Sequence, residues 1–347
     1  MNRYDPAKLK SFTAAVMQGA GLDEQDSLLF AESLVNADMR GVASHGVTRL
    51  TAYSRRVQEG LVSPKAELNI LADGGSLMLV DAQNGMGAVT AYKAMKLCVE
   101  RAKTSGCCFA AITGGNHFGY AAFFTEYAAA QGMIGVAIAN APPAIPPIGG
   151  VEPFLGTNPI SISVPSNRYR PLVLDMATSV VARGKVTLAQ KAGQSIPEGW
   201  GIDKKGRPTT DPSQVYAVLP FGGAKGYAIG LIAEILCSCL SGASNGREMG
   251  SFYNFNTVQN SGFFVGAFNI GSILPAELFG NRVDGLYDTL KAAPKAEGVE
   301  EIMIPGEIEF NRYEQASREG ITLPAAVVAE LVALSQHYQI PFDCEMA

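Results

Sequence analysis

The residues best equipped for chemistry lie in two short segments. The first is Asp38-Met39-Arg40-Gly41-Val42-Ala43-Ser44-His45-Gly46-Val47-Thr48-Arg49-Leu50-Thr51-Ala52-Tyr53. A helical pattern ends near Gly41 and a second begins at Ser44, a residue type that caps helix N-termini well. On that second helix His45, Arg49 and Tyr53 fall at i, i+4 and i+8 and form one stripe. Val47, Leu50 and Val57 supply the packing side. Histidine titrates near neutral pH, and arginine pairs with a planar carboxylate through two parallel hydrogen bonds. The set suits a small carboxylate substrate that gains or loses a proton. The bland alternative is a solvated helix face. Scarcity weighs against it, because the chain has only three histidines and a second lies in another glycine-bracketed segment.

That second segment is Gly114-Gly115-Asn116-His117-Phe118-Gly119-Tyr120. Its glycines permit close backbone approach and unusual dihedrals, and it reads as a strand-to-helix turn. His117 is either a site residue or a cap of the helix that follows. Asp175 ends the apolar run Leu172-Val173-Leu174, and an acid at the C-terminal end of a buried strand is often a site residue in α/β folds. It would orient a histidine, or cap the next helix in competition with Thr178 and Ser179. Lys225 follows Gly222-Gly223 at the head of an apolar helix. Free N–H groups and a cation there make an anion site; the alternative is a surface lysine. Gly156-Thr157-Asn158-Pro159 offers backbone and side-chain donors in a tight turn. Ser44 beside His45 has the residue types of a nucleophile and base, but no G-x-S-x-G elbow is present.

The elements that must position these groups follow from composition and periodicity. A chain of 347 residues, 47% hydrophobic and 17% charged, has material for two or more structural units and a large core. Its net charge of −5 is not clustered, which argues against nucleic acid as a partner. The N-terminus does not read as a signal peptide. The most apolar run, Tyr227–Leu240, is too short to span a bilayer and contains Glu234, so a buried helix is expected and no membrane association. Six cysteines, at 98, 107, 108, 237, 239 and 344, make no C-x-x-C pair and sit mainly in apolar runs. They read as small hydrophobes in a reduced, cytoplasmic protein, with no metal site.

Residues 6–20 read as a helix with Leu9, Phe12 and Val16 inward. Asp23 or Asp26 caps a second, with Leu28, Ala31, Leu34 and Val35 on one face. Strands begin after Pro64: 68–71 and 76–81 flank Asp73-Gly74-Gly75 as a hairpin. A helix over 88–104 places Ala91, Met95, Cys98 and Val99 inward. Strands follow at 107–113, 135–141, 160–164, 172–176 and 262–269. Helices are expected at 120–131 and 177–192, and from about 275 to the end with a loop at Pro305-Gly306-Glu307. Residues 195–216 read as an exposed, turn-rich excursion. The class is α/β. No strand leads into G-x-G-x-x-G with an acid about 20 residues on, which counts against an ordinary Rossmann site. Gly222-Gly223-Ala224-Lys225-Gly226 is not a Walker A loop either.

Five ordered motifs resemble the malate/L-lactate dehydrogenase family, which lacks a Rossmann fold. They are Asp38-x-Arg40-Gly41-x2-Ser44-His45-Gly46-x2-Arg49, Asn116-His117-Phe118-Gly119, Phe154-Leu155-Gly156-Thr157-Asn158-Pro159, Leu174-Asp175-Met176-Ala177-Thr178-Ser179 and Pro220-Phe221-Gly222-Gly223-Ala224-Lys225-Gly226-Tyr227. The resemblance implies a homodimeric NAD- or NADP-dependent oxidoreductase. Its fold would be a mixed-sheet cofactor domain, 71–274, with a helical domain built from both chain ends, 1–70 and 275–347. By position the cofactor would lie against Ala141, Asp175, Met176, Ala177, Lys225, Gly306, Glu307 and Ile308. His117 matches a proton acceptor of the ureidoglycolate dehydrogenases, whereas Ser44, His45 and Asp175 match a relay of the imine reductases. The implied reaction moves a hydride between nicotinamide and a small 2-hydroxy or 2-oxo acid of malate, lactate, ureidoglycolate or sulfolactate type. Arg49, Tyr53 and Thr157 would hold the substrate. Reduction of a cyclic 2-imino acid is the alternative.

Overall fold

The computed structural model describes residues 2–346. After a short strand, β1 (Arg3–Tyr4), Asp5 accepts the N–H groups of Ala7 and Lys8 and Pro6 opens α1 (Pro6–Ala20). Proline suits this position because its missing N–H would have no partner there. Leu9, Phe12 and Val16 are buried as their spacing predicts. Asp23, not Asp26, caps α2 (Glu24–Met39) by accepting the Asp26 N–H at 2.8 Å. Ala31, Leu34 and Val35 face inward, but Leu28 is 42% exposed and Phe30 takes the core position. The helix α3 runs from Leu50 to Gln58.

The expected hairpin forms as β2 (Asn69–Asp73) and β3 (Leu77–Asp81), with the Asp73 carboxylate accepting the Gly75 N–H. The helix α4 (Gly87–Ser105) buries Ala91, Met95, Cys98 and Val99 and returns the chain to β4 (Cys107–Gly115), parallel to β3. Next come α5 (Ala122–Ala130), β5 (Met133–Ala139), β6 (Ile160–Val164) and β7 (Leu172–Met176).

Three segments depart in part from expectation. The helix over 177–192 shortens to α6 (Arg183–Lys191), because the chain past β7 is tied down: Thr178 N–H donates to the Thr157 carbonyl and Ser179 bridges to Pro220. Residues 195–216 are largely exposed and turn-rich, as expected, but are anchored at a few points. They fold back through β8 (Gly201–Ile202) and β9 (Ala217–Val218), burying Ile196 and Ile202, with Trp200 on a core of Ile145, Leu155, Val186 and Val218. The apolar run after Gly226 is not wholly buried. It forms α7 (Ala224–Glu234) and a π-helical turn over Ile235–Cys239. Ala233 and Cys237 face the sheet and Gly230 packs on Thr178, while Ile229, Ile232, Ile235 and Leu240 are exposed.

The late strand β10 (Ser261–Asn269) inserts between β4 and β5, antiparallel to both. The resulting seven-stranded mixed sheet has the order β2-β3-β4-β10-β5-β6-β7, with β3/β4 its parallel pair. This is the α/β, mixed-sheet, non-Rossmann architecture expected. The chain ends with α8 (Ala276–Lys291), α9 (Glu307–Glu319), β11 (Ile321–Thr322) and α10 (Ala325–Tyr338). The helices α1, α2, α3 and α10 share one core, which Met86, Ala88 and Val89 at the head of α4 also enter. The ladder of β1 with β11 joins the two chain ends. By contrast, α8 docks on the β6–β7 turn, where its buried Asp284 accepts the N–H groups of Asn167 and Arg168.

Candidate active site

The helix expected from Ser44 onward is broken. Residues Ala43–His45 and Val47–Arg49 form two 3₁₀ turns before α3 begins at Leu50. The cause lies across the turn. Gly46 is extended and backs onto Asp38, so that a Cβ there would overlap the Asp38 carboxyl. That carboxylate accepts the Val47 N–H at 2.7 Å and does the capping expected of Ser44. The Ser44 hydroxyl instead lies 2.9 Å from His45 Nδ1. Val47, Leu50 and Val57 are buried as expected, but so is Tyr53, edge-on to Phe30 and Phe252. His45, Arg49 and Tyr53 therefore do not share a helix stripe.

They are nevertheless gathered around His117. The turn after β4 is held by buried Asn116, whose side chain donates to the Asn84 and Gly85 carbonyls. The His117 N–H donates to buried Gln259 at 2.9 Å. Gly119, at φ 89°, turns its N–H back onto His117 Nδ1 at 3.3 Å, and Tyr53 Oη lies 2.5 Å from the same nitrogen. A backbone N–H can only donate, so Nδ1 accepts and the neutral ring carries its hydrogen on Nε2. The His45 ring stacks on His117 with centroids 5.5 Å apart and planes 18° apart. Arg49 Nε donates to the Ser44 carbonyl at 2.5 Å. Its terminal nitrogens have no hydrogen-bond partner among the described residues, and its guanidinium lies 5.2 Å from the Phe252 ring.

Both imidazoles are held neutral. Desolvation first, and the Arg49 charge second, push His45 down to about 3. His117 lies well below its usual value, through desolvation and then the charges of Arg49, His45 and Arg56. Desolvation pushes the Asp38 carboxyl up to about 7 against the Val47 hydrogen bond.

Asp175 stands elsewhere. Its carboxylate accepts the Ala122 N–H at 3.0 Å and so caps α5, the job His117 was a candidate for. Open to solvent on one side but walled by protein, it is pushed up to about 7, chiefly by desolvation. Among the described residues no hydrogen bond joins it to His45 or His117, so the relay from Ser44 through His45 to Asp175 lacks its last link.

The segments around the end of β7 are stitched together. The Val173 N–H donates to the Pro305 carbonyl at 3.0 Å, which holds the Gly306 turn (φ 96°) beside β7. Ile308 is exposed there, and the Glu307 carboxylate is occupied by Lys291 and the Ile304 N–H. The Phe221 N–H donates to the Thr178 carbonyl at 3.1 Å, linking the turn before α7 to the chain just past Met176 and Ala177. Gly223 starts α7 without a side-chain cap, and Lys225 is exposed in the first turn. Buried Asn158 accepts the Ala141 N–H and donates to Glu234 at 2.7 Å. Gly156 packs so closely that a Cβ would overlap the Ala141 carbonyl. Thr157 sits half-buried in this turn.

Sequence reasoning missed Asp38 as an anchor, Gln259 behind His117, and the 250–258 loop with Phe252. Asp38 and Gly46 stood inside the quoted motif, but only the fold shows that they touch. The cluster Phe252-Tyr253-Asn254-Phe255 was a visible signal, since aromatics bounded by glycine and polar residues are unusual in a plain connection.

The chain is similar to known proteins over nearly its whole length. A family model described as malate/L-lactate dehydrogenase matches residues 4–332. The chain is 38% identical over 320 residues to an L-sulfolactate dehydrogenase of Methanocaldococcus jannaschii, covering 92% of each chain. It is 36% identical to a malate dehydrogenase of Pyrococcus abyssi, covering 95% of this chain and 93% of that one. The solved structure of a sulfolactate dehydrogenase from Methanocaldococcus jannaschii superposes with a TM-score of 0.92 at 36% identity, over 97% of this chain and 98% of that one. Other relatives are named for their cofactor, NAD(+) in one case and NADP(+) in another. With the mixed sheet and a match over nearly its whole length, the chain belongs to the malate/L-lactate dehydrogenase family.

Proposed function

We propose that the substrate is a small 2-hydroxy or 2-oxo acid held by Arg49, and that His117 moves the proton. As a member of its family the chain is an NAD(P)-dependent dehydrogenase acting on the CH–OH group of a hydroxy acid. The observation that carries the site assignment is the stacked His45–His117 pair beside an arginine whose terminal nitrogens are free.

Because Arg49 Nε is committed to Ser44, the two terminal nitrogens are left to grip a carboxylate end-on. His117 Nε2 faces the reacting oxygen. For reduction the ring first takes a proton from solvent and carries hydrogen on both nitrogens; Tyr53 Oη turns from donor to acceptor of Nδ1–H, its own hydrogen swinging towards the His117 carbonyl, 3.5 Å away, and Nε2 gives its hydrogen to the substrate oxygen, leaving a neutral ring with hydrogen on Nδ1. A bound carboxylate offsets the Arg49 charge, one of the causes that hold His117 down, and so favours the protonated ring when it is needed. His45, bonded to Ser44, flanks the reacting oxygen, and Thr157 lines the site. The nicotinamide, when bound, supplies or takes the hydride.

The residues around β7 fit a dinucleotide. Uncapped N–H groups at the head of α7 with Lys225 suit a phosphate, and the Asp175 carboxyl suits a ribose hydroxyl. Ala141, Met176, Ala177, Gly306 and Ile308 supply close-packing backbone and apolar surface, with Glu307 contributing its backbone. We also infer a cytoplasmic homodimer. The exposed apolar face of α7 supports a partner of the same kind, and six free cysteines suit a reducing compartment. Among the described residues no helix is long and apolar enough to cross a membrane.

The test is oxidation of NADH and NADPH by purified protein against 2-oxo acids and cyclic 2-imino acids. Turnover of a 2-oxo acid is expected. Arg49→Lys keeps the charge but loses the fork, so KM for the 2-oxo acid should rise about tenfold or more. An unchanged KM would remove Arg49 from the substrate.

A further inference from the structure

The 250–258 loop has no part in the reaction as assigned, yet its anchor is unusual. Arg56 on α3 has 0% exposure. It donates to three backbone carbonyls of this one loop: Phe252 at 3.2 Å, Asn254 at 3.0 Å and Thr257 at 3.2 Å. Burying a guanidinium among neutral acceptors is costly unless those bonds are made, so the arrangement locks a stretch of backbone that has no helix or strand of its own.

The locked loop presents two aromatic rings to the site. Phe252 is buried and packs on Tyr53 at 4.8 Å and His117 at 5.1 Å. Tyr253 lies edge-on to Phe252, with its ring 5.9 Å from the Arg49 guanidinium. It is 63% exposed, and its hydroxyl has no hydrogen-bond partner among the described residues. A large aromatic held in the open, on a loop this firmly fixed and next to the carboxylate clamp, has a surface ready for a ligand. In a 2-oxo acid only two C–C bonds, about 1.5 Å each, separate the carboxylate carbon from C3. A substituent on C3 is then within reach of the Tyr253 ring.

We propose that Tyr253 is the specificity-determining wall of the substrate pocket, stacking on the C3 substituent of the 2-oxo acid, and that Arg56 is the residue that positions it. The preferred substrates then carry a bulky apolar or aromatic group on C3. This rests on the assignment of Arg49 as the carboxylate clamp.

The experiment compares kcat/KM for phenylpyruvate and for pyruvate, with whichever of NADH and NADPH supports turnover. The wild-type chain should favour phenylpyruvate. Tyr253→Ala should lower the phenylpyruvate-to-pyruvate ratio at least tenfold, within the range a hydrophobic contact can discriminate. Tyr253→Phe, which keeps the ring, should hold the ratio within about threefold. Arg56→Lys cannot span three carbonyls and should lower the ratio in the same direction, with KM affected more than kcat. If that variant does not fold, the two Tyr253 variants still decide. Turnover with a ratio unmoved or raised by Tyr253→Ala overturns the wall alone. No turnover of any 2-oxo acid overturns the substrate assignment, and the wall with it.

Discussion

Gly46 shows how one residue without a side chain shapes a site. It lets the chain pass against the Asp38 carboxyl, which accepts the Val47 N–H and sets the two 3₁₀ turns that carry His45 and Arg49. Gly46→Ala should displace both side chains. A shift of about 1 Å can cost about 100-fold in rate, so kcat/KM should fall by that order while circular dichroism stays close to wild type; unchanged kinetics would show that the contact is slack. Tyr53→Phe probes the partner of His117. With Oη gone, Nδ1 keeps only the Gly119 N–H and the protonated ring loses its acceptor. We expect kcat to drop about tenfold or more, within the range for assisted proton transfer. Its pH profile should also move to lower pH, and an unshifted profile would take Tyr53 out of the proton path. The residue types of this site were legible from the chain: a scarce histidine, an arginine and a tyrosine at helical spacing, and a second histidine between glycines. The link from Asp38 to Gly46 was not, because spacing is the same whether a helix runs on or breaks. Nor was the part played by Asp175, whose partner, Ala122, comes from a remote stretch of chain.

At the scale of elements, local patterns carried well for several segments. The hairpin around Asp73-Gly74-Gly75, the inward face of α4, and the strands β6 and β7 fall where turn residues, helical spacing and apolar runs put them. The place of β10 between β4 and β5 had no local sign, since strand order is set by pairing across the whole chain. The anchoring of residues 195–216 had no clear sign, because the turn residues are polar while the few side chains that anchor them, Ile196, Trp200 and Ile202, are widely spaced. The helix α7 was misread. Apolar on all sides, it looked like a core helix, yet one of its faces is covered by nothing within this chain. If a second copy covers that face, Ile232→Glu, at a position 57% exposed, should shift the sedimentation coefficient from dimer to monomer. A variant that still sediments as a dimer would put the interface elsewhere.

Across the whole molecule, stability should vary with pH through Asp38. Its carboxyl titrates near 3.8 when exposed and about 7 in the fold. A group raised in this way contributes stability that is fully present below the unfolded value and is lost as pH rises through the folded one. The melting temperature should therefore fall between about pH 4 and pH 7. Asp38→Asn keeps an acceptor for the Val47 N–H but cannot ionise, and should flatten that slope; an equal slope in both proteins would assign it to other carboxyls.

The ladder that joins the two chain ends has a consequence for how the protein is made. The helices α1 and α3 complete their core with α10, and Tyr4 and Asp5 are tied to Glu345 and Cys344. The ribosome releases the first of these elements long before the last. At about 5–20 residues per second, α3 waits roughly 15–60 s for its partner. Through that interval the apolar sides of the first three helices stand uncovered on a nascent chain, while the central sheet, all of whose strands lie between residues 69 and 269, can already assemble. Synthesis thus finishes the sheet that carries His117 before α10 closes the helical layer that carries His45.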